Sequence, residues 1–544
     1  MSATRVFAAR RIVTMDHDRP HATHVAVRDG RILAVGDADC AAPWGGGTPD
    51  DRLADMVLMP GLVEGHAHMM AGAMWRYDYV GYHDRIDPDG RRWAGLGDLD
   101  AVVARLSDRA AATAANDAGT PVLGWGFDPI FLPGRRLDRT DLDRVATDRP
   151  VAVLFSNFHL MCVNTAALEL VGYDADTPLD GVRKGADGQP TGELQEMAAM
   201  FPILRRLGVD FRALSQSAEA LESFGRVAVR AGVTTITDLY STMTEDDLDD
   251  MLRLTGADDY PVRIVPALGV AGDPAAMADR ALAWRARSTD RLRLGAVKIM
   301  TDGSIQGWTA RVRWPGYVGG QPNGLWNTAP DEIAAICLEM QRRGVQMHIH
   351  VNGDEAAEVA LDALSAAARA HPWPDARHVL QHCQLMDAAL FRRAAELGVV
   401  CNLFANHVHY FGDQHVAATV GPDRAARMNA LRTALDVGVA CAIHSDAPVT
   451  PLGPLTTAWC AVERRTMSGQ VLGAAQRVDV AEALRAVTLG AAYSLKMDHE
   501  IGSIAPGKRA DFALLGEDPT ACAPARLRDV PVLGTVLGGR VHLA

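Results

Sequence analysis

Two histidines separated by one residue, His66 and His68, are the first residues in the chain whose type and spacing could support metal chemistry. The apolar run that precedes them, residues 56–63, reads as a buried strand that is too short for a helix. Side chains at i and i+2 of a strand share a face, so both imidazoles point the same way. Two converging neutral imidazoles suit a divalent metal such as zinc. The alternative is two solvated loop histidines.

Further ionisable residues lie at the ends of later predicted strands. His348 and His350 share a strand face, His382 ends the next strand, and Asp446 ends the last regular one. Lys298 lies within an otherwise apolar strand, where a buried ammonium costs several kcal/mol unless it is neutral, paired or chemically modified. Any one of these residues alone is more often a hydrogen-bonded core residue. Their repetition strand after strand predicts a metal site.

The elements that must position these residues alternate between helix and strand from residue 215 onward. This alternation predicts a parallel sheet of the α/β class, closed into a TIM-like (β/α)8 barrel whose active site lies at the carboxyl ends of the strands. An open doubly wound sheet is the alternative, disfavoured because no G-x-G-x-x-G follows an early strand. The predicted strands after residue 215 are 233–239, 295–300, 345–351, 378–384, 399–404 and 440–445.

Both ends of the chain read as β-structure outside this barrel. Residues 1–58 and 500–544 predict one small β-sandwich domain built from the two termini, with Asp29-Gly30 as a two-residue hairpin turn. Residues 59–499 form the predicted barrel domain. Within it, residues 75–215 read as a large insertion or lid after the first barrel strand, with one amphipathic run over 99–118. The alternative is an independent binding domain.

Composition excludes several functional classes. Lysine and arginine number 54 against 67 acidic residues, and the net charge of −13 argues against a nucleic-acid partner. No apolar run approaches the ~18 residues of a membrane span, and the first 18 residues do not resemble a signal peptide. Eight cysteines without a C-x-x-C pair favour reduced thiols in a cytoplasmic protein. The sequence leaves the oligomeric state open, and a homodimer is one state that it allows.

Five segments together resemble the amidohydrolase superfamily, and within it the family-3 branch of YtcJ-like metal-dependent hydrolases. They span almost the whole chain and are jointly specific, although each is short. Glu64 stands where many relatives carry aspartate, a departure that changes no expected ligand. The matching segments are residues 60–68, 297–304, 350–356, 445–449 and 502–511.

The resemblance implies a metal centre with named ligands. His66 and His68 would hold one metal, and His350 and His382 would hold a second. Asp446 would contact a metal and the attacking water, then carry a proton from that water to the leaving group. His348 would support the ligands or polarise the substrate.

The resemblance also implies that Lys298 is carboxylated and bridges two divalent ions, expected to be Zn²⁺, with Mn²⁺ or Fe²⁺ as alternatives. A lysine carbamate is an anionic oxygen ligand, so the modification would remove the cost of a buried ammonium. If Lys298 is unmodified, a single metal or a simple salt bridge is the alternative.

The function predicted from these residues is hydrolysis of a carbon–nitrogen bond other than a peptide bond. One alternative is a metal-bound barrel that acts as a regulatory or binding protein. Another is a deaminase, hydratase or isomerase on the same metal platform.

Aromatic residues near the predicted barrel mouth favour a small, apolar or aromatic amide as substrate, because such pockets bury apolar surface and leave orientation to a few polar groups. The alternative is that these rings only pack the insertion against the barrel. The candidate substrate-binding residues are Trp75, Trp125, His159, Trp308 and His409.

Overall fold

The computed structural model describes residues 3–114, 119–132 and 134–544, and most strands in these ranges belong to three sheets. One sheet is built from the two ends of the chain, one carries the predicted metal ligands, and one lies in the insertion. A separate two-stranded ribbon joins Arg85–Ile86 to Arg92–Trp93.

The central sheet has eight strands that pair in chain order, each parallel to its neighbours. A parallel bridge between Ala67 and Ala447 joins the chain just beyond the first and last strands, so the sheet curls until its two edges meet. The α/β class and the curled parallel sheet are therefore confirmed. The strands are β1 Leu62–Glu64, β2 Val233–Ser241, β3 Arg263–Gly269, β4 Ala296–Met300, β5 Gln346–Val351, β6 Val379–His382, β7 Val400–Leu403 and β8 Cys441–Ile443.

Helices connect successive strands and bury one apolar face against the sheet, the arrangement that parallel strands require. The connecting helices are Ala218–Arg230, Glu245–Gly256, Pro274–Arg285, Pro330–Arg343, Asp354–Ala370, Ala388–Glu396 and Leu431–Asp436. Three shorter helices follow β7: Asn406–Tyr410, Gly412–Gln414 and Gly421–Ala425. Three more follow β8: Pro454–Glu463, Val480–Ala486 and Leu489–Ser494.

One strand of this sheet was not predicted. β3 carries Pro266 in its middle, and proline normally argues against a central strand because it cannot donate to the ladder. β3 nevertheless pairs with both β2 and β4. The helices on either side of β3 were missed with it.

The terminal sheet contains strands from both ends of the chain. Val57–Pro60 lies at its centre, parallel to the first strand of the chain and antiparallel to Phe512–Leu515. Asp29 and Gly30 both have positive φ, as the predicted tight hairpin turn requires. The division into two packed layers stays a prediction. The strands are Arg5–Val13, His21–Arg28, Arg31–Gly36, Thr48–Asp50, Val57–Pro60, Phe512–Leu515, Val532–Leu537 and Arg540–Leu543.

The prediction of one strand over residues 56–63 was wrong, because the chain changes sheets inside this run. Val57–Pro60 belongs to the terminal sheet and Leu62–Glu64 is β1. Gly61 lies between them, where a Cβ atom would be 2.0 Å from Oγ1 of Thr234. Both strands are fully buried, so hydrophobicity alone did not reveal the break.

The insertion between β1 and β2 contains its own six-stranded sheet and its own apolar clusters. The amphipathic run predicted over 99–118 forms the helix Leu99–Ala114, and residues 115–118 lie outside the described residues. The lid role stays a prediction. The sheet strands are Asp78–Tyr79, Val122–Phe127, Val151–Phe155, Leu160–Val163, Val182–Lys184 and Pro190–Gln195. The helices, including one before the sheet, are Met70–Ala73, Leu99–Ala114, Arg139–Asp143, Thr165–Val171, Glu196–Arg206 and Phe211–Gln216.

Across the described ranges, no helix combines the length and apolarity that a bilayer crossing demands. The eight cysteines, all within the described ranges, form no disulfide there.

Candidate metal centre

Three predicted ligands meet where β1 and β8 end. Asp446 N–H donates to the His66 carbonyl at 3.1 Å, so the backbone brings the two strand ends together. Oδ1 of Asp446 lies 3.3 Å from Nε2 of His66 and 3.3 Å from Nε2 of His68. His66 and Asp446 are buried, while the His68 side chain keeps 22% of its surface exposed. The centre is therefore open to solvent on the side of His68.

The tautomer of His66 follows from its partner on the side away from Asp446. Oε1 of Gln381 lies 2.9 Å from Nδ1 of His66 and also accepts from the side-chain amide of Asn402 at 2.9 Å. A carbonyl oxygen only accepts, so Nδ1 of His66 carries the proton and Nε2 has a free lone pair. That lone pair faces Oδ1 of Asp446, which has no hydrogen-bond partner among the described residues.

A second group of histidines adjoins the first. Nδ1 of His382 lies 3.1 Å from Nε2 of His444, and Nε2 of His382 lies 3.1 Å from Nδ1 of His350. His66 stacks on His444 with ring centroids 4.8 Å apart. Both His382 and His444 can share one ion with His66, because one nitrogen of each lies within 4.8 Å of the others.

The protonation states suit metal binding. Burial, reinforced by the positive charge of Lys298, lowers the pKa of His66 and of His350 well below the ordinary histidine range. Burial, followed by the repulsion that a protonated His66 would exert, also lowers the pKa of His382 well below that range. These rings are therefore neutral near pH 7, and neutral imidazole is the form that ligates metals.

Lys298 lies in β4, and its side chain is 1% exposed. Its Nζ has no hydrogen-bond partner among the described residues. Burial lowers the pKa of Lys298 to about 7, and the nearby carboxylate of Asp446 opposes that shift. An amine with this pKa is substantially neutral near pH 7.

Two buried carboxylates support the ligands. Glu64 accepts from the backbone N–H of Ser445 at 3.0 Å and from its hydroxyl at 2.9 Å, which fixes the residue next to Asp446. Burial raises the pKa of Glu64 to about 8. Asp302 accepts from the backbone N–H groups of Asn352 and Gly353 and thereby holds the loop after β5. The unusual glutamate at position 64 is thus part of the support of the centre.

The residues present fit a divalent metal. The centre combines neutral imidazoles with an aspartate oxygen, a ligand set typical of zinc and related ions. The Nδ1–H group of His66 donates to the amide oxygen of Gln381, and metal-bound histidines usually donate their second ring N–H in this way. The lone pairs of His66 Nε2 and Asp446 Oδ1 face each other at 3.3 Å and repel unless a cation or a proton lies between them.

His348 lies two residues before His350 on β5 but does not join these groups. Its Nδ1 accepts from the side-chain amide of Gln381 at 2.9 Å, and Gln381 in turn bonds His66. Burial lowers the pKa of His348 to about 3. This placement agrees with a supporting role, while the polarisation of substrate by His348 stays a prediction.

Three predicted substrate-binding residues lie in the insertion. Trp75 and Trp125 pack edge to face with ring centroids 5.0 Å apart, in an apolar cluster that also includes Phe404. Phe404 contacts the ring of His382. His159 lies nearer the centre, with its ring 5.4 Å from that of His350. Burial would lower the pKa of His159, but Glu196, 2.8 Å away, reverses this, and the net shift is upward.

Trp308 and His409 are held by partners away from the ligands. Nε1 of Trp308 donates to the carbonyl of Ala418 at 3.2 Å. Nδ1 of His409 bonds the carbonyl of Arg465 at 2.8 Å, and its ring packs on Trp459. Their contact with substrate stays a prediction.

Three residues beside the predicted ligands, His444, Gln381 and Glu196, were not predicted as site residues. His444 and Asp446 repeat the one-residue spacing of His66 and His68, so the sequence did contain a signal for His444. Gln381 precedes a predicted ligand, but only the fold shows that it bonds His66. Glu196 has no local signal, because its partner His159 is 37 residues away.

The chain is similar to known amidohydrolases over almost its whole length. The model of the amidohydrolase family matches residues 53–542. The putative amidohydrolase YtcJ of Bacillus subtilis (strain 168) is 27% identical over 97% of this chain and 97% of its own. The N-substituted formamide deformylase of Arthrobacter pascens is 28% identical over 97% of this chain and 96% of its own.

A solved structure shares the fold. An uncharacterized metal-dependent hydrolase from Pyrococcus horikoshii OT3 superimposes with a TM-score of 0.71. The match covers 96% of this chain and 99% of that protein, at 20% sequence identity. The curled parallel sheet is therefore an arrangement already seen in a metal-dependent hydrolase.

Proposed function

This chain belongs to the amidohydrolase family, and we propose that it hydrolyses the carbon–nitrogen bond of a small, largely apolar or aromatic amide. The observation that carries this proposal is the pair of lone pairs on His66 and Asp446, 3.3 Å apart and without a donor between them. A purely structural metal needs no such basic oxygen at the edge of its ligand set.

The proposed centre holds two divalent ions, with zinc as the expected metal. His66 and His68 would hold one and His350 and His382 the other, while His444 is a further candidate ligand from its position. A bound divalent ion would act as a Lewis acid and bring the pKa of a water molecule towards neutrality.

Asp446 performs the proton transfers in this proposal. Its Oδ1 takes a proton from the attacking water as the new carbon–oxygen bond forms. Asp446 then gives this proton to the departing nitrogen as the carbon–nitrogen bond breaks, which leaves the carboxylate ready for the next cycle. Glu64 keeps Asp446 in place through Ser445 during both steps.

We also propose that the neutral amine of Lys298 adds to the carbon of carbon dioxide and releases one N–H proton to solvent. The resulting anionic carbamate would supply oxygen ligands to both divalent ions. The burial of Lys298, its lack of a partner and its lowered pKa support this, because only the neutral amine forms a carbamate. Lys298→Ala should lose metal and activity together. Added short carboxylic acids should restore part of both, since they supply an oxygen ligand to the vacated space. Full activity in an enzyme whose Lys298 carries a free ammonium would contradict the bridge.

The proposed substrate class rests on rings near the centre and on one relative. Rings contact each other in an unbroken series from the exposed surface to the ligands, in the order Tyr82, Phe131, Phe411, His407, Phe404 and His444. The relative from Arthrobacter pascens is named for activity on N-substituted formamides. An N-aryl formamide or a similar secondary amide fits both observations.

The decisive experiment measures metal content and turnover on matched amides. Purified protein should bind divalent metal and hydrolyse N-aryl amides with kcat/KM up to about 100-fold above N-alkyl amides of equal reactivity. Burial of one ring of ~100 Å² is worth about 2.5 kcal/mol at ~25 cal/mol per Å². Equal values would mean that the rings are scaffolding. Bound metal without turnover on any amide would favour the binding-protein alternative.

A further inference from the structure

The insertion presents a histidine–glutamate pair to the metal centre, and the proton transfers above do not use it. His159 directly precedes the strand Leu160–Val163, and Glu196 begins the helix Glu196–Arg206. Nδ1 of His159 lies 2.8 Å from Oε2 of Glu196. The backbone N–H of Glu196 also donates to the His159 carbonyl at 2.7 Å. Side chain and main chain therefore tie the two residues together.

This pair is fastened to the loop that follows β4. The side chain of Asn157 accepts from the His159 backbone N–H at 2.9 Å and donates to the Ser304 hydroxyl at 3.0 Å. A Cβ atom at Gly303 would lie 2.5 Å from Oε1 of Glu196, so the loop after β4 lies directly against the Glu196 carboxylate. The Gly303 carbonyl in turn lies 3.1 Å from Nε2 of His350.

The backbone around the pair is strained. Glu196 has φ of +61° and Phe158 has φ of +58°, both in the left-handed region that non-glycine residues avoid at a cost of roughly 1 kcal/mol or more. Glu196 is also 6% exposed, and its Oε1 has no hydrogen-bond partner among the described residues. Strain and an unpaired buried carboxylate oxygen are features that proteins keep mainly at functional sites.

The orientation of the ring follows from Glu196. An ionised carboxylate only accepts, so Nδ1 of His159 donates to it and Nε2 is the nitrogen left for another partner. No described residue bonds Nε2, and the ring lies 5.4 Å from that of His350. The His159 side chain keeps 10% of its surface exposed. Its free nitrogen is therefore available to a molecule bound beside His350.

We propose that His159 is a catalytic residue and that Glu196 is the positioning residue that orients it. As the imidazolium of an ion pair with Glu196, His159 carries a proton on both ring nitrogens, so Nδ1 donates to Glu196 and Nε2 donates to the carbonyl oxygen of the substrate. This inference rests on the proposed amide hydrolysis and deepens it. Negative charge grows on the carbonyl oxygen as water adds, so the hydrogen bond strengthens along the reaction. No covalent bond forms or breaks at His159. The insertion thus completes the site.

Two substitutions of His159 separate this role from a structural one. In His159→Asn, the side-chain amide N–H lies where Nδ1–H of histidine lies, so it can still donate to Glu196. This variant has no hydrogen-bond donor at the position of Nε2. The longer side chain of His159→Gln places an amide near Nε2 and gives up the bond to Glu196. The proposal expects the Asn variant to lose about 100-fold in kcat, the typical effect of removing one such donor, while the Gln variant retains more activity.

The same variants have a readout other than turnover. A phosphonate that mimics the tetrahedral adduct should bind the Asn variant about 100-fold more weakly by calorimetry, while KM for the substrate changes little. His378→Asn is the matched control. Like His159, His378 is a buried histidine, but it lies at the opposite end of the sheet. Its Nδ1 accepts from the backbone N–H of Met347. This control should keep its kcat.

The outcomes distinguish the two proposals. If the unsubstituted protein hydrolyses no amide, the proposed function fails and His159 is not at issue. If it is active and the Asn variant retains activity better than the Gln variant, the bond to Glu196 matters only for structure and the inference is overturned. Metal content should be equal in all variants, and a loss of metal in the Asn variant would also count against it.

Discussion

The two ends of the parallel sheet bury polar groups in opposite ways. At the amino end, Arg263 donates to the Asp290 carbonyl, the Thr235 hydroxyl and the Asp511 carboxylate, so its charge is fully paired. His378 is satisfied on both nitrogens, by Met347 N–H at 3.1 Å and by Gln341 at 2.7 Å. At the carboxyl end, Lys298 and one oxygen of Asp446 have no hydrogen-bond partner among the described residues.

The polar groups at the amino end are hydrogen-bonded and stabilise the fold, whereas those at the carboxyl end include atoms that a ligand could bind. A buried polar group without a partner costs about 1 to 3 kcal/mol, and more if it is charged. The amino end avoids this cost by pairing with the terminal sheet through Asp511. The carboxyl end keeps its lone pairs free, which is consistent with a site that binds a cation.

The largest expected effect comes from removing a ligand at the carboxyl end. His66→Ala should lower bound metal and reduce turnover by more than about 1000-fold, because the electrostatic stabilisation of the reaction depends on the metal. The fold should persist, since the sheet and terminal domain are unaffected. His378→Ala should keep metal and turnover and lose about 1 to 3 kcal/mol of unfolding free energy instead. Metal analysis, kinetics and denaturation measure both, and normal metal content in the His66 variant would sink the ligand assignment.

A smaller effect, different at the two ends, is expected when the buried basic side chains of Arg263 and Lys298 are replaced by an apolar one. In metal-free protein, Arg263→Met should destabilise by about 3 kcal/mol, because it leaves the buried Asp511 carboxylate without its cation. Lys298→Met removes an amine that has no partner and should leave unfolding free energy equal or higher. Urea denaturation with a chelator present provides the measurement. Equal losses in the two variants would show that the contrast between the ends is not energetic.

The smallest effect concerns Asp128 in the insertion, a buried acid with neutral partners at Ser156 and Ile130. Burial raises the pKa of Asp128 to about 7, above its unfolded value of about 3.9. Between about pH 4 and pH 7 the folded protein therefore binds one proton more than the unfolded protein. The free energy of unfolding falls as the pH rises through this range. Asp128→Asn has no proton to lose.

The Asn variant should therefore gain about 2 kcal/mol relative to the unsubstituted protein between about pH 5 and pH 7. Unfolding free energies measured at several pH values test this. A difference that stays constant with pH would mean that Asp128 is ionised throughout.

The sequence by itself determined the chemistry at the strand ends. His66, His68 and Asp446 were identifiable because the two-residue period of a strand and its carboxyl-terminal position are local properties. The same locality made the hairpin turn at Asp29 and Gly30 predictable. It failed at β3, where Pro266 is a poor local fit that the sheet tolerates, and at Gly61, where two equally buried strands follow one another.

Only the tertiary structure decided which lone pairs meet. The bond between His66 and Gln381 joins residues 315 positions apart, and the contact of Glu64 with Ser445 spans 381. Such distances are set by the order and register of eight strands, which no local pattern encodes. The pairing of His159 with Glu196, and its placement beside His350, likewise required the insertion to fold against the loop after β4. The sequence specified the types of the ligand side chains, and the pairing of the eight strands set the distances between them.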